Sequence, residues 1–79
     1  MKRDEVFERV TNVFRDVFDD EELIISDETT AADIEDWDSL THITLISAIE
    51  DEFGYKFGMK EVLGLKNVGE MITLLEKSL

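Results

Sequence analysis

Apolar side chains recur at helical spacing in three segments of this 79-residue chain, and this periodicity constrains its fold more than any other feature. In the first segment the apolar positions that share this spacing are Val6, Phe7, Val10, Val13, Phe14, Val17 and Phe18. Asp4 is placed to cap the start of this helix, and the acidic run at 19–22 follows its end. The pattern therefore predicts a first helix at the N-terminal end of the chain.

The second periodic segment covers residues 39–53, with Asp38 as a suitable N-cap and Gly54 where a left-handed C-terminal cap belongs. At about 100° per residue the face predicted to enter the core, with His42 near it, consists of Leu45, Ile46, Ile49 and Phe53. Leu40 and Ile43 fall at the edge of this face. We therefore expect both side chains to be partly exposed beside the start of the helix.

The remaining helices are predicted from local signals. Residues 59–63 are long enough for about one helical turn before Gly64 interrupts it. Asn67 followed by Glu70 resembles a capping box, and an apolar stripe continues from there to Leu79. Proline and strand-like alternation are both lacking from the sequence. The chain is predicted to be all-α, with three longer helices and one short helix in a single domain over residues 1–79.

The connection over residues 19–38 has no sustained period and is rich in acidic and hydroxyl side chains. Four apolar residues within it are expected to anchor it to the core: Leu23, Ile24, Ile25 and Ile34. Connections of this length in small domains are more often functional, or packed by their own side chains, than loose. This one leads directly to Ser39.

The charge of the chain narrows its class of partner. Twenty Asp and Glu against eight Lys and Arg give a formal charge of −12 and a pI near 4.2. Such a field repels nucleic acid and other copies of the chain, and it attracts partners with basic patches, although it also simply favours solubility. We expect a monomer that does not bind nucleic acid.

Cysteine is lacking, so apolar packing rather than a disulfide must stabilise the fold. Charged side chains occupy positions 2 to 5, and no long apolar stretch follows, which predicts neither a signal peptide nor a membrane span. The expected location is the cytoplasm.

Ser39 is the residue whose position is most informative. It stands at the predicted start of the second helix, where backbone N–H groups lack helical partners and the helix dipole is positive. A phosphodiester attached to its hydroxyl would meet hydrogen-bond donors and a favourable dipole. Ser39 is therefore a candidate attachment point for a phosphate-linked group.

An enzymatic alternative would use Ser39 as a nucleophile and His42 as its base, because positions three apart are neighbours on a helix. A nucleophile elbow of the hydrolase kind has glycine on both sides of the serine, whereas residues 37–41 contain none. We do not predict an enzyme, and His42 is interpreted as a structural or interface residue.

A calcium site is a second alternative, because one acidic stretch could supply oxygen ligands from Asp19, Asp20, Glu21, Glu22, Asp27 and Glu28. An EF-hand loop also needs a central glycine and a closing Glu, and this stretch has no glycine. Loose binding of divalent cations is compatible with the sequence, but no dedicated metal site is predicted.

The chain resembles the acyl carrier proteins in three features: the tripeptide Asp38-Ser39-Leu40, the acidic segment at 49–54 and the order of helices. The resemblance implies a small four-helix bundle with a long loop between its first two helices. It also implies that a phosphopantetheinyl transferase moves 4′-phosphopantetheine from coenzyme A to Ser39. Asp38 and Leu40 belong to the motif around this attachment site. The arm would end in a thiol that carries acyl groups as thioesters, which provides a reactive sulfur to a chain without cysteine.

The resemblance further implies that partner enzymes dock on the second helix through Leu40, Ile43, Glu50, Asp51 and Glu52. These partners are acyl-loading, condensing and acyl-transfer enzymes that present basic patches. Rim charges of this kind mainly set encounter rate and partner choice, while apolar anchors limit dissociation. Any single acid on this helix could equally be part of a solvated face.

Four positions depart from the pattern of the common fatty-acid carriers. Thr41 and Thr44 stand where acids are usual, Ser47 replaces a large apolar residue, and Trp37 replaces a small one. These departures favour a carrier dedicated to a specialised pathway of fatty-acid-like or polyketide-type biosynthesis. The alternatives are a peptidyl or aminoacyl carrier loaded by an adenylating enzyme, and an acidic helical adaptor without modification.

Members of this family can shelter cargo between their helices. The residues that could line such a space, all of them core residues first, are Val10, Phe14, Leu45, Ile46, Ile49, Ile72 and Leu75.

Overall fold

Four α-helices and one short 3₁₀ helix make up the structure, a computed structural model that describes residues 2–79. The helices are α1 (Arg3–Val17), α2 (Ser39–Phe53), α3 (Met59–Gly64) and α4 (Val68–Ser78), and the 3₁₀ helix covers Ala31–Asp33. Within the described range no strand is present. The predicted all-α class, with three longer helices and one short helix, is confirmed.

The start of α1 differs from the prediction, because Asp4 is not its cap. The N-cap is Lys2, which forms no side-chain capping bond, and its carbonyl oxygen accepts from the Val6 N–H at 3.0 Å. Asp4 and Glu5 instead lie in the first turn. A carboxylate in that turn is stabilised by the positive end of the helix dipole. An acid is therefore favourable both at the N-cap and in the first turn, and the sequence alone does not distinguish the two positions.

Both caps of α2 lie where the sequence predicts them. Asp38 is the N-cap, and its side chain accepts a hydrogen bond from the Thr41 N–H. Gly54 ends the helix with φ of 63° and donates its N–H to the Glu50 carbonyl oxygen. The left-handed conformation at this position favours glycine, because a Cβ atom is strained there.

The capping of α4 is a displaced version of the predicted box. Asn67 Oδ1 accepts from the Glu70 N–H at 2.8 Å, as expected. Glu70 Oε1 accepts from the Lys66 N–H at 3.0 Å, one residue before the N-cap. The two side chains still satisfy two backbone donors at the helix start, which stabilises the turn between α3 and α4.

The core lies between the three longer helices, with α1 packed against both α2 and α4. Its buried apolar members are Val6, Val10, Val13, Phe14, Ile25, Trp37, Leu45, Ile46, Ile49, Val68, Met71, Ile72 and Leu75. Of the predicted core face of α2, Phe53 alone is only partly buried. Because each longer helix contributes its apolar stripe, burial of these side chains supplies the main stabilisation of a chain without disulfides.

The long connection before α2 is anchored by alternate side chains. Ile25 is buried, while Leu23 and Ile34 pack partly against the core. Ile24, also predicted as an anchor, is 83% exposed. Adjacent residues of an extended segment point in opposite directions, so the chain cannot bury Ile24 and Ile25 on the same side.

Backbone hydrogen bonds attach this connection to the start of α4. The Gly69 N–H donates to the Asp27 carbonyl oxygen at 2.8 Å, and the Val68 N–H donates to that of Thr29 at 2.9 Å. A Cβ atom on Gly69 would lie 2.8 Å from the Asp27 carbonyl oxygen. The two segments approach so closely because residue 69 has no side chain, and the loop is thereby fixed before it reaches Ser39.

No helix among residues 2–79 combines the length and the apolar character needed to cross a membrane.

Candidate site around Ser39

Ser39 is the first residue of α2, and its side chain is exposed. The preceding residue, Asp38, has an extended backbone, so the chain changes direction immediately before the serine. The Asp38 carbonyl oxygen accepts the first hydrogen bond of the helix, from the His42 N–H at 2.8 Å. Ser39 therefore presents its hydroxyl to solvent at the positive end of a 15-residue helix.

Asp38 holds this turn in place through one carboxylate oxygen. Asp38 Oδ1 accepts from the Thr41 N–H and from Thr41 Oγ1, both at 2.9 Å. Hydrogen bonds from the Thr41 backbone and side chain lower the pKa of Asp38, because they stabilise its charged form. The hydroxyl of Thr41, one of the departures noted in the sequence, thus takes part in the cap.

Trp37 fills the space between the loop and α1. Its ring packs edge-on against Phe14 with centroids 5.3 Å apart, and its centroid lies 6.3 Å from that of Phe18. On the α2 side the indole Nε1–H donates to His42 Nδ1 at 3.0 Å, and the planes of the two rings are nearly parallel, with centroids 5.9 Å apart. Trp37 is therefore a core residue as well as a neighbour of the Asp-Ser-Leu tripeptide.

The hydrogen bond from Trp37 also bears on the enzymatic alternative. Within the described residues, His42 Nδ1 accepts from the indole and makes no hydrogen bond to the Ser39 hydroxyl. His42 is half-buried and belongs to a packed aromatic group. The structure thus supports the interpretation of His42 as a residue of structure or interface.

An open groove of about 580 Å³ lies beside Ser39, between α2 and α3. Apolar side chains form most of its wall. The residues that line it are Ala31, Trp37, Asp38, Ser39, His42, Ile43, Val62 and Leu65. A group attached to the Ser39 hydroxyl would start at the edge of this groove.

The residues predicted to line a cargo space lie elsewhere. All seven are buried in the core between the three longer helices, and none of them borders the groove. Phe14, Leu45 and Ile49 are fully buried. Close packing of these side chains is what stabilises so small a domain, so a cavity among them would cost stability.

Three large apolar side chains are exposed at the starts of α2 and α3. Leu40 is 78% exposed and Ile43 67% exposed, as the sequence predicts for the edge of the core face. Met59, at the start of α3, is 80% exposed and was not predicted as a site residue. Its position directly after Gly58, at the first residue of a very short helix, is the signal that could have identified it.

The predicted docking acids occupy two different kinds of environment. Glu50 Oε2 accepts from the Phe57 N–H at 2.9 Å, and Glu52 Oε2 accepts from Arg9 Nε at 2.7 Å. Asp51 is exposed. Two of these carboxylates thus stabilise the fold, while Asp51 projects into solvent, and the docking role of all three stays a prediction.

Two acidic residues of the long connection accept hydrogen bonds that stabilise the fold. Asp20 Oδ1 accepts from the Glu22 N–H at 3.0 Å, and Asp27 Oδ2 accepts from Arg3 Nη2 at 3.1 Å. Among the described residues, no three His, Cys, Asp or Glu side chains are grouped in a way that could hold a metal ion.

Comparisons with known proteins converge on one family. A family model described as "Phosphopantetheine attachment site" matches residues 8–75, which include all of α2. An acyl carrier protein of Coprothermobacter proteolyticus is 27% identical over 79 residues, which are 100% of this chain and 96% of that protein. An acyl carrier protein of Saccharopolyspora erythraea is 31% identical over 74 residues, covering 94% of this chain and 78% of that protein.

A solved structure is similar in both fold and sequence. The solution NMR structure of a holo acyl carrier protein from Geobacter metallireducens superposes with a TM-score of 0.85 at 42% identity. The match covers 91% of this chain and 83% of that one.

Proposed function

The chain belongs to the phosphopantetheine-binding acyl carrier proteins, and from this membership we propose that Ser39 is the residue to which the prosthetic group is attached. Acyl carrier proteins are carriers and not enzymes, and this chain carries acyl groups in biosynthesis on a phosphopantetheine cofactor. The cofactor supplies a thiol, which holds an acyl group as a thioester. The observation that carries the assignment of Ser39 is its exposed hydroxyl at the first residue of α2.

The surroundings of Ser39 fit a phosphate-linked arm. The positive end of α2 favours a phosphodiester at this position, and the groove beside the serine leaves room for a chain that starts there. In the attachment step the Ser39 oxygen forms a bond to the phosphorus next to pantetheine, and the bond to the bridging oxygen of the coenzyme A pyrophosphate breaks. The nucleotide part of coenzyme A leaves with that oxygen, and the hydroxyl proton of Ser39 is lost.

We propose that Asp38 and Leu40 flank the attachment point as parts of the surface that a phosphopantetheinyl transferase contacts. Asp38 keeps the helix start in one conformation through its bonds to Thr41, and Leu40 offers an exposed apolar contact. Both residues would then act before any cargo is loaded.

Partner docking is proposed for α2, through Leu40, Ile43, Glu50, Asp51 and Glu52. The exposure of Leu40 and Ile43 supports an apolar contact, and the charge of −12 supports steering toward enzymes with basic patches. The proposed partners are acyl-loading, condensing and acyl-transfer enzymes. Thr41, Thr44 and Ser47 support a specialised pathway, since they replace the side chains usual in carriers of the common kind.

The domain, the oligomeric state and the compartment are further parts of this proposal. Residues 1–79 are proposed to form one carrier domain, and the family match over residues 8–75 supports it. Repulsion between copies of charge −12 supports a monomer. A supply of coenzyme A, which attachment requires, supports the cytoplasm.

The experiment that tests the attachment site is intact mass after incubation with coenzyme A, magnesium and a broad-specificity phosphopantetheinyl transferase. We expect one phosphopantetheine mass increment on the wild type and none on Ser39→Ala. Ser47→Ala is the matched control, because Ser47 is an exposed serine of the same helix, and it should be modified like the wild type. Modification of Ser39→Ala would overturn the assignment.

The cargo is tested separately by loading the modified protein. Transfer of an acyl group to the thiol fits the proposed role, whereas loading only by an adenylating enzyme with an amino acid would favour the peptidyl or aminoacyl carrier. Failure of several transferases to modify the wild type would favour an unmodified acidic adaptor.

A further inference from the structure

We propose that Trp37 fixes His42 in one tautomer, so that His42 Nε2–H is the hydrogen-bond donor that holds a carbonyl of the arm attached at Ser39. The inference rests on the proposed attachment at Ser39. It assigns a role to two side chains that neither the attachment chemistry nor partner docking requires.

The tautomer follows from the bond between the two rings. An indole nitrogen can only donate, so His42 Nδ1, 3.0 Å from Trp37 Nε1, must be the acceptor and carries no proton. The imidazole proton in this arrangement is therefore on Nε2. The opposite tautomer would place two N–H groups against each other.

The ring that donates to His42 is itself held firmly. Trp37 is only 9% exposed and packs against Phe14 and Phe18 of α1. Its ring also lies nearly parallel to the imidazole, with an interplanar angle of 22°. The orientation of the imidazole is thus determined by the core, and little side-chain freedom remains to be lost when a ligand binds.

The second nitrogen of His42 is left available. Among the described residues, every buried side-chain nitrogen or oxygen has a hydrogen-bond partner. The described residues provide no such partner for Nε2 of the half-buried His42, so this atom is not buried and is accessible to solvent. His42 and Ser39 both line the same groove, so a donor on His42 lies near the point where the arm starts.

The chemistry of the arm matches this donor. A pantetheine chain contains amide carbonyls, and a loaded arm adds the carbonyl of the thioester, all of which accept hydrogen bonds. Apart from its polar end at Asp38 and Ser39, the wall of the groove is mostly apolar and includes Ile43, Val62 and Leu65. An oriented donor on a mostly apolar wall favours one position for a carbonyl.

The first measurement is the ¹⁵N chemical shift of both His42 ring nitrogens by NMR, before and after modification at Ser39. In the unmodified protein we expect Nε2 to be protonated and Nδ1 unprotonated. Modification should move the Nε2 signal and leave the tautomer unchanged. His42 is the only histidine of the chain, so the signals need no further assignment.

The second measurement is the rate at which the arm's terminal thiol reacts with a soluble aromatic disulfide. Loss of the donor in His42→Leu should release the arm and raise this rate about two- to tenfold, the range expected for one net hydrogen bond. His42→Gln, whose amide nitrogen can replace Nε2–H as a donor, should restore a rate near that of the wild type. Circular dichroism verifies that each variant is folded.

Trp37→Phe tests the positioning role, because it removes the indole donor while an aromatic ring stays in the core, although the smaller ring also reduces packing there. We expect a mixture of the two His42 tautomers in the ring spectrum and a thiol reactivity between those of the wild type and His42→Leu. An unchanged tautomer in Trp37→Phe would overturn the positioning role of Trp37.

The whole inference would be overturned if the His42 ring shifts were equal before and after modification and the thiol reactivity were equal in the wild type and His42→Leu. Both measurements require protein in which the mass increment at Ser39 has been verified. A failure of attachment is therefore seen first and is distinct from a failure of the role of His42.

Discussion

Glu52 and Arg9 join α2 to α1 through two hydrogen bonds: Arg9 Nε donates to Glu52 Oε2 at 2.7 Å, and Arg9 Nη2 donates to the Glu52 carbonyl oxygen at 2.7 Å. The guanidinium carbon also lies 4.7 Å above the centre of the Phe53 ring. An acid on the proposed docking helix thus contributes to the contact between α1 and α2.

Glu52→Gln should therefore destabilise the fold, while Asp51→Asn should not. Each side chain of the Arg9–Glu52 pair is 38% exposed, so solvent screens the interaction and we expect a loss of about 0.5–1 kcal/mol. Asp51→Asn removes one negative charge from a chain of −12 without breaking a bond between helices. Urea unfolding of both variants measures the difference. Equal stability of the two would mean that the ion pair contributes nothing in solution.

Leu40 should be needed for docking of the modifying enzyme. Leu40→Asp places a charge beside Ser39 in the proposed contact, and we expect kcat/KM for phosphopantetheine transfer to fall by about tenfold or more. Ile24→Asp is the matched control, since Ile24 is also a highly exposed apolar residue but lies in the long connection before α2. The control should be modified at the wild-type rate. A similar loss in both variants would indicate a general effect of charge.

Gly69→Ala should destabilise the fold even though alanine favours helices. The added Cβ would lie 2.8 Å from the Asp27 carbonyl oxygen, so the loop would have to move away from α4. The clash should cost about 1–3 kcal/mol and the gain in helix propensity offsets about 1 kcal/mol of it, so we expect a net loss of up to about 2 kcal/mol. Gly64→Ala, where nothing lies within 4 Å, should be neutral or stabilising in the same denaturation experiment. The reverse order would contradict the close approach described above.

The cap formed by Asp38 should make stability depend on acid pH. Its pKa is lower in the folded protein than in the unfolded chain, so the stabilisation is complete above the ordinary carboxyl pKa of about 3.9 and is lost as pH falls through the lower folded value. Asp38→Asn can still accept the bond from Thr41 but cannot titrate. The stability of wild type relative to Asp38→Asn should therefore decrease as pH is lowered from about 6 to about 3. A difference that is constant over this range would contradict the role of the charged cap.

Elements controlled by neighbouring residues were predictable from the sequence. The bounds of α2 follow from a capping side chain at Asp38 and a glycine at 54, both of which act over a single turn. The exposure of Leu40 and Ile43 follows from helical periodicity. The acidic N-cap assigned to Asp4 failed, because the same residue type is favourable both at the cap and in the first turn.

Features that depend on contacts between different elements of the fold were not predictable. The attachment of the loop to Gly69 requires two stretches of backbone that are far apart in sequence to meet. The hydrogen bonds from the Phe57 N–H to Glu50 and from Arg9 to Glu52 likewise depend on how helices and loops pack. The bond from Trp37 to His42 crosses the start of a helix and connects residues that periodicity assigns to different elements. Local patterns carry no information about these pairings.

The position of the single indole has a practical consequence for optical work on this protein. Trp37 is the only tryptophan in the chain, and it contacts α1 on one side and His42 of α2 on the other. Its ultraviolet emission therefore arises from one place, at the junction of two helices and one wall of the groove. Unfolding, modification and cargo binding can each be followed from this one native fluorophore, without a dye on the surface that partner enzymes must reach.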